Sequence, residues 1–387
     1  LFIEISEKRK ILYNSWTNLM STKKDKFSHK DQLYMKIALD LAKSREGLTG
    51  TNPSVGCIIV KNDRIISIGQ TSINGRPHAE LNAIRNCPEN LRNSTMYVTL
   101  EPCSHQGLTP PCTNAIINSK ISKVIYSVLD IDRRVKGKTF RILKLNKINA
   151  QQGLLKNEVN QFYEPYFFNK KQKLPYVSGK IAITKNNLIY SKGKKKFTNS
   201  RSNKFTHLLR LKNDSILTTY KTLNTDNPKL NCRLKGMENF SPKRIVLDNQ
   251  LKTNTKSYLF KTANQKNTII FYNEAKKSKI LEFRKKKITL IKSKLDKKKK
   301  FDMLKIFKEL YNLGCRSILV EGGNILTKNF LDKKLFNKFY LYKSPKNFSK
   351  LVDYVIFNGI DILKKNYKVK FKINSNFGKD TITMYKK

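Results

Sequence analysis

Three residues of metal-ligating type, spread across the stretch from 77 to 112, constrain this chain more than any other feature. They lie in Pro77-His78-Ala79-Glu80, Glu101-Pro102-Cys103 and Pro110-Pro111-Cys112. One imidazole and two thiolates give Zn²⁺ three protein ligands and leave the fourth tetrahedral position open, the donor set of a catalytic site. A fold that uses all three has to bring separate segments to one point. Residues at i and i+2 do not share a helix face, so His78 and Glu80 reach a common point only from the first turn of a helix. Pro77 fits a helix entry there, and Pro111 fits another just before Cys112. A helix N-terminus also favours thiolate over thiol. Glu80 is too close in sequence to His78 to ligate the same ion by habit. It fits the proton shuttle of a zinc deaminase, where the Glu of His-x-Glu is acid and base but not a ligand. Taken singly, each of the three reads as a packed core residue. A closed structural zinc site would need a fourth ligand, for which His105, Cys87 and Cys57 are the candidates.

Around these residues strands alternate with helices. Tyr34, Ile37, Ala38 and Leu41 recur at helical spacing, and Asn52-Pro53 then breaks the chain. Strands are predicted over 55–60 and 65–68, joined by the turn Lys61-Asn62-Asp63-Arg64. A helix follows from His78, a strand over 96–100, a helix after Cys112 and a strand over 124–128. Such alternation after an initial hairpin predicts a layered α/β unit with helices on both faces. Residues 154–174 read as a helical connector with Phe162, Tyr163, Tyr166 and Phe167 on its apolar side. A second α/β series starts at Tyr176, with strands over 177–183, 216–218, 245–247, 268–272, 288–291, 317–320 and 339–342 and helices over 202–211, 303–313 and 325–331. The expected division is a polar arm (1–28), a first domain (29–153), the connector (154–174) and a second domain (175–387).

Composition bounds the function classes. A length of 387 residues, 39% of them hydrophobic, suits about two or three domains with real cores. No apolar run approaches the roughly 18 residues of a membrane span. Six cysteines are too few and too scattered for a secreted disulfide framework. Lys and Arg number 79 against 28 Asp and Glu, a formal net charge of +51. That excess suits a polyanionic partner, or equally a lysine-rich solvated surface; the densest runs, 283–287 and 297–300, carry almost no aromatics on which bases would stack. The first residue is Leu; Glu4 and Glu7 weaken a transit-peptide reading and no secretory apolar segment is visible, so a cytoplasmic location is expected. Cys57, Cys87, Cys232 and Cys315 read as packing residues.

The spacing of the thiolates separates classes of deaminase. Nucleic-acid and nucleoside deaminases commonly carry Pro-Cys-x-x-Cys, whereas eight residues separate Cys103 from Cys112 here. Thr99-Leu100-Glu101-Pro102-Cys103-Ser104-His105, with Gly107 and Thr109-Pro110-Pro111-Cys112, closely resembles the deaminase half of the bifunctional deaminase–reductases of riboflavin biosynthesis. Asn52-Pro53-Ser54-Val55-Gly56 resembles that family's substrate-base loop. In the second half, Arg210, Thr222, Asp226-Asn227-Pro228, Leu230, Arg233 and Val320-Glu321-Gly322-Gly323 resemble its reductase segment. The resemblance implies a cytidine-deaminase-like three-layer αβα domain followed by a dihydrofolate-reductase-like α/β domain, with Zn²⁺ and NADPH as cofactors. It implies hydrolytic deamination of 2,5-diamino-6-ribosylamino-4(3H)-pyrimidinone 5′-phosphate, then reduction of the ribosyl group to ribityl. It gives His78, Cys103 and Cys112 to the metal and Glu80 to catalysis. It gives Asn52, Arg210, Leu230, Arg233 and Glu321 to substrate, and Ala182, Thr222, Asp226, Asn249, Gly323 and Asn324 to NADPH. Independently, Gly322-Gly323 between a strand and a helix offers free N–H groups of the kind that bind phosphate. The expected partners are a small phosphorylated pyrimidine and a second copy of the chain, with no membrane and no nucleic acid.

The sequence departs from the family at several points. Leu108 stands where Arg or Lys is usual, Thr71 where His is usual, and Thr184-Lys185-Asn186-Asn187 where Ser-Leu-Asp-Gly is common. The one tryptophan is Trp16, so none lies near Lys196. These departures keep open a deaminase with a degenerate, inactive reductase half. The charge keeps open a tRNA or other nucleic-acid base deaminase.

Overall fold

The computed structural model describes residues 26–191, 197–350 and 353–387. Helix α1 (His29–Ser44) opens on a reciprocal cap: the Ser28 hydroxyl accepts the Asp31 N–H, and the Asp31 carboxylate accepts the Ser28 N–H. The first unit continues with β1 (Gly56–Lys61), β2 (Arg64–Gln70), α2 (Ala79–Arg85), β3 (Thr95–Leu100), α3 (Cys112–Asn118), β4 (Lys123–Val128), α4 (Lys138–Leu145) and β5 (Asn149–Gln152). Its sheet has the order β2-β1-β3-β4-β5, antiparallel through β2-β1-β3 and parallel through β3-β4-β5. Alternate side chains point to opposite faces of a strand. Ile58, Val60, Tyr97 and Ile125 therefore meet Tyr34, Met35 and Ala38 of α1 on one face. Cys57, Ile59, Met96, Val98, Val124 and Tyr126 meet Ala79 and Ala83 of α2, Ile116 of α3 and Leu143 of α4 on the other. The result is the three-layer αβα unit expected from the sequence.

Two glycines set how closely helices ride on this sheet. A Cβ on Gly56 would stand 1.8 Å from the Ala38 carbonyl oxygen, and one on Gly69 would stand 2.1 Å from that of Ala79. The first turn of α2 thus lies directly on β2, a position only glycine permits.

Helix α5 (Lys156–Gln172) leads into the second unit. There follow β6 (Tyr176–Ile183), β7 (Leu188–Ser191), α6 (Ser200–Leu211), β8 (Ser215–Thr219), α7 (Tyr220–Asp226), β9 (Lys243–Leu247), α8 (Tyr258–Lys261), β10 (Thr268–Tyr272), α9 (Lys277–Lys285), β11 (Thr289–Lys292), α10 (Met303–Asn312), β12 (Ser317–Glu321), α11 (Asn324–Asp332), β13 (Lys338–Lys343), β14 (Tyr354–Ile356), α12 (Ile360–Asn366), β15 (Val369–Lys372) and β16 (Thr381–Lys386). The large sheet runs β11-β10-β9-β8-β12-β6-β13-β16-β15. It is parallel from β11 to β13 and turns antiparallel at β16 and β15. Its central strands are buried on both faces, which explains near-continuous apolar runs such as Thr268–Tyr272. Helices α10, α11 and α12 cover one face through Phe307, Phe330 and Leu363, and α6, α7, α8 and α9 the other through Leu209, Leu223, Leu259 and Phe283. This is the dihydrofolate-reductase-like domain of the sequence reading.

The units touch. Lys212 pairs with Glu46 at 2.6 Å, Lys386 with Glu164, and Asn169 Nδ2 donates to the Arg316 carbonyl at 2.9 Å. A cavity of about 270 Å³ lies at the junction, lined from the first unit by residues 46, 47 and 49–54, from the connector by Tyr163 and Tyr166, and from the second unit by Lys338 and Tyr340.

Several elements lay outside the sequence expectation: α4, β5, β7, α7, α8, α9, β14, α12, β15 and β16. Some of them show little period because little of each is buried, and others, such as the four-residue α8 and three-residue β14, are too short to show one. Helix α9 buries only Phe283, and every residue of β15 is exposed. The lysine-rich run 283–287 spans the last residues of α9 and the two that follow it.

Candidate active sites

His78 is the residue that caps α2, with extended backbone, and Glu80 lies in that helix's first turn. Cys112 is the first residue of α3, with Pro111 as its cap, and Cys103 sits in the loop leaving β3. The helix-entry geometry inferred from Pro77 and Pro111 therefore brings the three ligands together. His78 Nδ1 lies 3.6 Å from Cys103 Sγ and 3.4 Å from Cys112 Sγ. Zinc bonds of about 2.3 Å to sulfur and 2.0–2.1 Å to nitrogen at tetrahedral angles separate such ligand atoms by about 3.5 Å, so the donor set fits a single Zn²⁺. Among the described residues no fourth His, Cys, Asp or Glu joins this cluster. Cys57 is fully buried in the sheet core, and Cys87 Sγ turns to the Ile66 and Glu89 carbonyls. The closed structural site thus lacks its fourth ligand.

Electrostatics suit a metal site. The Cys112 side chain is the main influence holding the Cys103 thiol down to about 4, against burial, with the His78 ring and the Cys112 N–H (3.2 Å) also hydrogen-bonded to its sulfur. Cys103 is therefore a thiolate at neutral pH. Burial pushes the Glu80 carboxyl up to about 6, partly opposed by His78. Glu80 is 4% exposed.

The surrounding loops are braced by Glu101, whose carboxylate accepts the N–H groups of Asp130 (3.2 Å), Gly137 (3.1 Å) and Thr139 (3.2 Å). Asn52 Nδ2 donates to the Gly75 carbonyl at 2.9 Å, which ties the proposed base loop to the segment entering α2. Thr71 is buried; its hydroxyl accepts the Val55 N–H at 2.9 Å, so this departure serves to hold the same loop. Ser104 Oγ and His105 Nδ1 are shielded from solvent and have no partner. Arg76, which no motif singles out, reaches Thr109 Oγ1 at 2.7 Å.

In the second unit the adjacent parallel strands β9, β8, β12 and β6 end side by side. Ligands of open parallel sheets bind at these carboxyl ends. Asn249 follows β9, Thr222 lies in α7 after β8, Gly323 and Asn324 follow β12, and Ala182 is near the end of β6. Thr222 N–H donates to Thr219 Oγ1 at 3.4 Å, Asp226 closes α7, and Asn324 Oδ1 accepts the Asn358 N–H at 3.3 Å. Thr218 Oγ1 and Asn249 Oδ1 are buried here without a partner. No side chain caps α11, and a Cβ on its cap residue Gly323 would meet nothing within 4 Å. Orphaned polar atoms beside an open helix N-terminus fit a nucleotide phosphate and amide, and hence NADPH.

The substrate residues fall into two sets. Arg210 Nε and Nη2 donate to Glu321 at 2.7 and 2.9 Å, and Nη1 donates to the Asn231 carbonyl at 3.1 Å. The bidentate edge of Arg210, a residue the resemblance gives to substrate, is thus turned to Glu321. Arg233 is exposed, bonded through Nη1 to Asn231 Oδ1. Leu230 lies in the core, at φ 49°. Two neighbours escaped sequence reasoning. Lys180 pairs in register with Glu321, and its ammonium lies 4.9 Å from the centre of the Tyr342 ring; burial pulls its pKa down. His207 accepts the Arg233 N–H at 3.3 Å, and burial, then Arg210 and Arg233, lower it to about 4, so it is neutral. Thr184-Lys185-Asn186-Asn187 forms a tight turn, with the Thr184 hydroxyl accepting the Leu188 N–H at 2.9 Å. Lys192, Lys194, Lys195 and Lys196, around the expected tryptophan, lie outside the described residues.

Comparison with known proteins agrees with both halves. The family model for the cytidine and deoxycytidylate deaminase zinc-binding region matches residues 28–128, and that for the RibD C-terminal domain matches 185–383. The riboflavin biosynthesis protein RibD of Aquifex aeolicus is 32% identical over 359 residues, covering 92% of this chain and 98% of that protein. The RibD of Actinobacillus pleuropneumoniae is 33% identical over 356 residues, 91% and 94% of the two chains. Among solved structures, the diaminohydroxyphosphoribosylaminopyrimidine deaminase/5-amino-6-(5-phosphoribosylamino)uracil reductase of Thermotoga maritima superposes with a TM-score of 0.77 at 29% identity, covering 92% and 99% of the chains. The Acinetobacter baumannii RibD, at 24% identity and a TM-score of 0.79, shares the fold.

Proposed function

The chain belongs to the RibD family, the bifunctional deaminase–reductases of riboflavin biosynthesis, and from that premise we propose which of its residues carry each half-reaction and on what substrate. The first unit hydrolyses the exocyclic amino group of the diaminopyrimidinone ribotide. His78, Cys103 and Cys112 hold the metal. Zinc bound there supplies a Lewis acid that makes water nucleophilic at neutral pH. Glu80 takes a proton as the water oxygen bonds to the ring carbon, then returns it to the exocyclic nitrogen as the C–N bond breaks and ammonia leaves. Burial of Glu80 suits both roles, because a carboxyl near 6 gives and takes protons readily around neutrality. Asn52 lies in the loop that faces the base.

The second unit opens the ribosyl ring. NADPH supplies a hydride for the ribosyl C1′. Thr222, Asp226, Asn249, Gly323, Asn324 and Ala182 line its cradle at the carboxyl edge of the sheet. Arg233, with its exposed guanidinium, takes the substrate phosphate, while Glu321 holds Arg210 in place and Lys180 gives the ring oxygen its proton. The same reading has the enzyme in the cytoplasm, self-associated, with a small phosphorylated pyrimidine as its partner. Among the described residues no helix is long and apolar enough to cross a membrane.

One observation carries the deaminase assignment: one imidazole nitrogen and two sulfurs within 4.8 Å of one another, beside a buried glutamate. The test is incubation of the ribotide with and without NADPH, following ammonia and NADPH oxidation separately. Ammonia in both conditions and oxidation in the second is expected. Ammonia without oxidation would leave the reductase half inactive, and neither product would defeat the whole reading.

A further inference from the structure

Arg76 stands two residues ahead of His78, in the segment that enters α2. Its Nη1 donates to Thr109 Oγ1 at 2.7 Å, across to the loop that carries both thiolates, and lies 3.4 Å from His78 Nε2. Among the described residues it pairs with no carboxylate, and its Nε and Nη2 make no hydrogen bond. Arg76 is half-buried, and its free donors beside the metal ligands are placed to take an anion.

The contact with His78 narrows that ligand's chemistry. With Nδ1 turned to the two sulfurs, a neutral ligating imidazole carries its proton on Nε2. A guanidinium offers donors only. Two donors facing each other at the rim are satisfied by an oxygen that accepts from both, and phosphate matches the guanidinium bidentately. The loop between Cys103 and Cys112 contributes no Lys or Arg, and its Leu108 is 88% exposed. Gly107 of that loop lies beside the cation: a Cβ there would stand 3.9 Å from Arg76 Nη2, an ordinary contact. The partnerless Ser104 Oγ and His105 Nδ1 belong to the same loop.

We propose that Arg76 is the residue by which the first unit selects the 5′-phosphate of its substrate, so that it deaminates a ribotide in preference to the ribonucleoside. This rests on the reading of the first unit as a pyrimidine deaminase. Arg76 binds from the α2 side of the pocket, anchored by Thr109, and leaves its remaining donors to the phosphate oxygens.

The test uses the full chain, the diaminopyrimidinone ribotide and its dephosphorylated ribonucleoside. Ammonia release and zinc content are measured for the wild type, Arg76→Ala, Arg76→Gln and Arg76→Lys. The ratio of kcat/KM for ribotide over nucleoside should fall at least about tenfold in the Ala and Gln variants, through KM, with zinc still bound. Arg76→Lys should recover part of it. Should Arg76→Ala not fold, Arg76→Gln, a shorter neutral side chain that keeps an N–H donor, reads the same ratio. An unchanged ratio overturns the assignment, as does an equal loss on both substrates, which marks a contact to the base. Loss of zinc overturns it too, marking a brace for the ligand loop. Absence of ammonia from the wild type with either substrate defeats the deaminase reading itself, a distinct outcome.

Discussion

Glu321→Gln removes one charge from the most shielded ion pair of the second unit. Arg210 and Glu321 meet through two hydrogen bonds of 2.7 and 2.9 Å, with side chains 10% and 13% exposed. A pair at about 4 Å in surroundings of effective dielectric near 20 gains roughly 4 kcal/mol, most of it offset by the cost of taking both ions out of water. The loss on breaking such a pair is larger than its net worth, about 3–5 kcal/mol, because the surviving charge stays buried. Here the survivors are two cations, Arg210 and Lys180. Glutamine keeps the volume and one acceptor, so the lower end applies, about 3 kcal/mol. At an m-value of about 2 kcal/mol/M, the urea midpoint of the second unit should drop by about 1.5 M. Hydrogen-exchange mass spectrometry on β6 and β12 peptides separates that transition from the first unit's. The pH dependence gives a second readout. Burial alone would raise the Glu321 carboxyl, but Arg210 and Lys180 outweigh it and hold it below its ordinary value. A carboxylate depressed in the fold stabilises above its unfolded pKa of about 4.3, and that contribution is lost as pH falls through the folded value. Wild type should therefore lose stability below about pH 4.3 more steeply than Glu321→Gln. A midpoint within about 0.3 M of wild type, with an unaltered acid limb, would refute the reasoning.

Three further outcomes are expected. Glu80→Gln should slow ammonia release by about 10²- to 10⁴-fold with zinc still bound, as the loss of a general acid–base requires; a change under about tenfold would remove Glu80 from that role. Gly69→Ala places a Cβ 2.1 Å from the Ala79 carbonyl, so α2 must lift from β2; zinc content and thermal midpoint should both fall, and normal zinc content would show that this contact does not position His78. Gly323→Ala places at the uncapped end of α11 a Cβ that meets nothing within 4 Å in the fold, so the Kd for NADPH should rise about tenfold or more while ammonia release continues; unchanged NADPH titration would move the phosphate elsewhere.

The metal centre was legible in the sequence because its signals are local and specific to residue type. His78, Cys103 and Cys112 are few among so many lysines, and Pro77 and Pro111 mark the helix entries that aim two of the ligands. The central strands were legible for a similar reason: burial on both faces demands unbroken apolar runs such as 268–272. Edge elements were not, since β5 and β15 bury too little to show a period. Arg76, Lys180 and His207 were equally hidden. In a chain with 79 Lys and Arg, a cation at the rim of a pocket or under a buried glutamate looks like any other until its neighbours are known. Arg210 shows the same limit from the other side, since the resemblance gave it to substrate and only the packing shows its bidentate edge held by Glu321. Chain chemistry alone determined which atoms can bind a metal and which segments must be inside. Tertiary structure decided which charges are left without a partner and which face each other, because the energy of a charge depends on the burial and partners that folding assembles from distant residues.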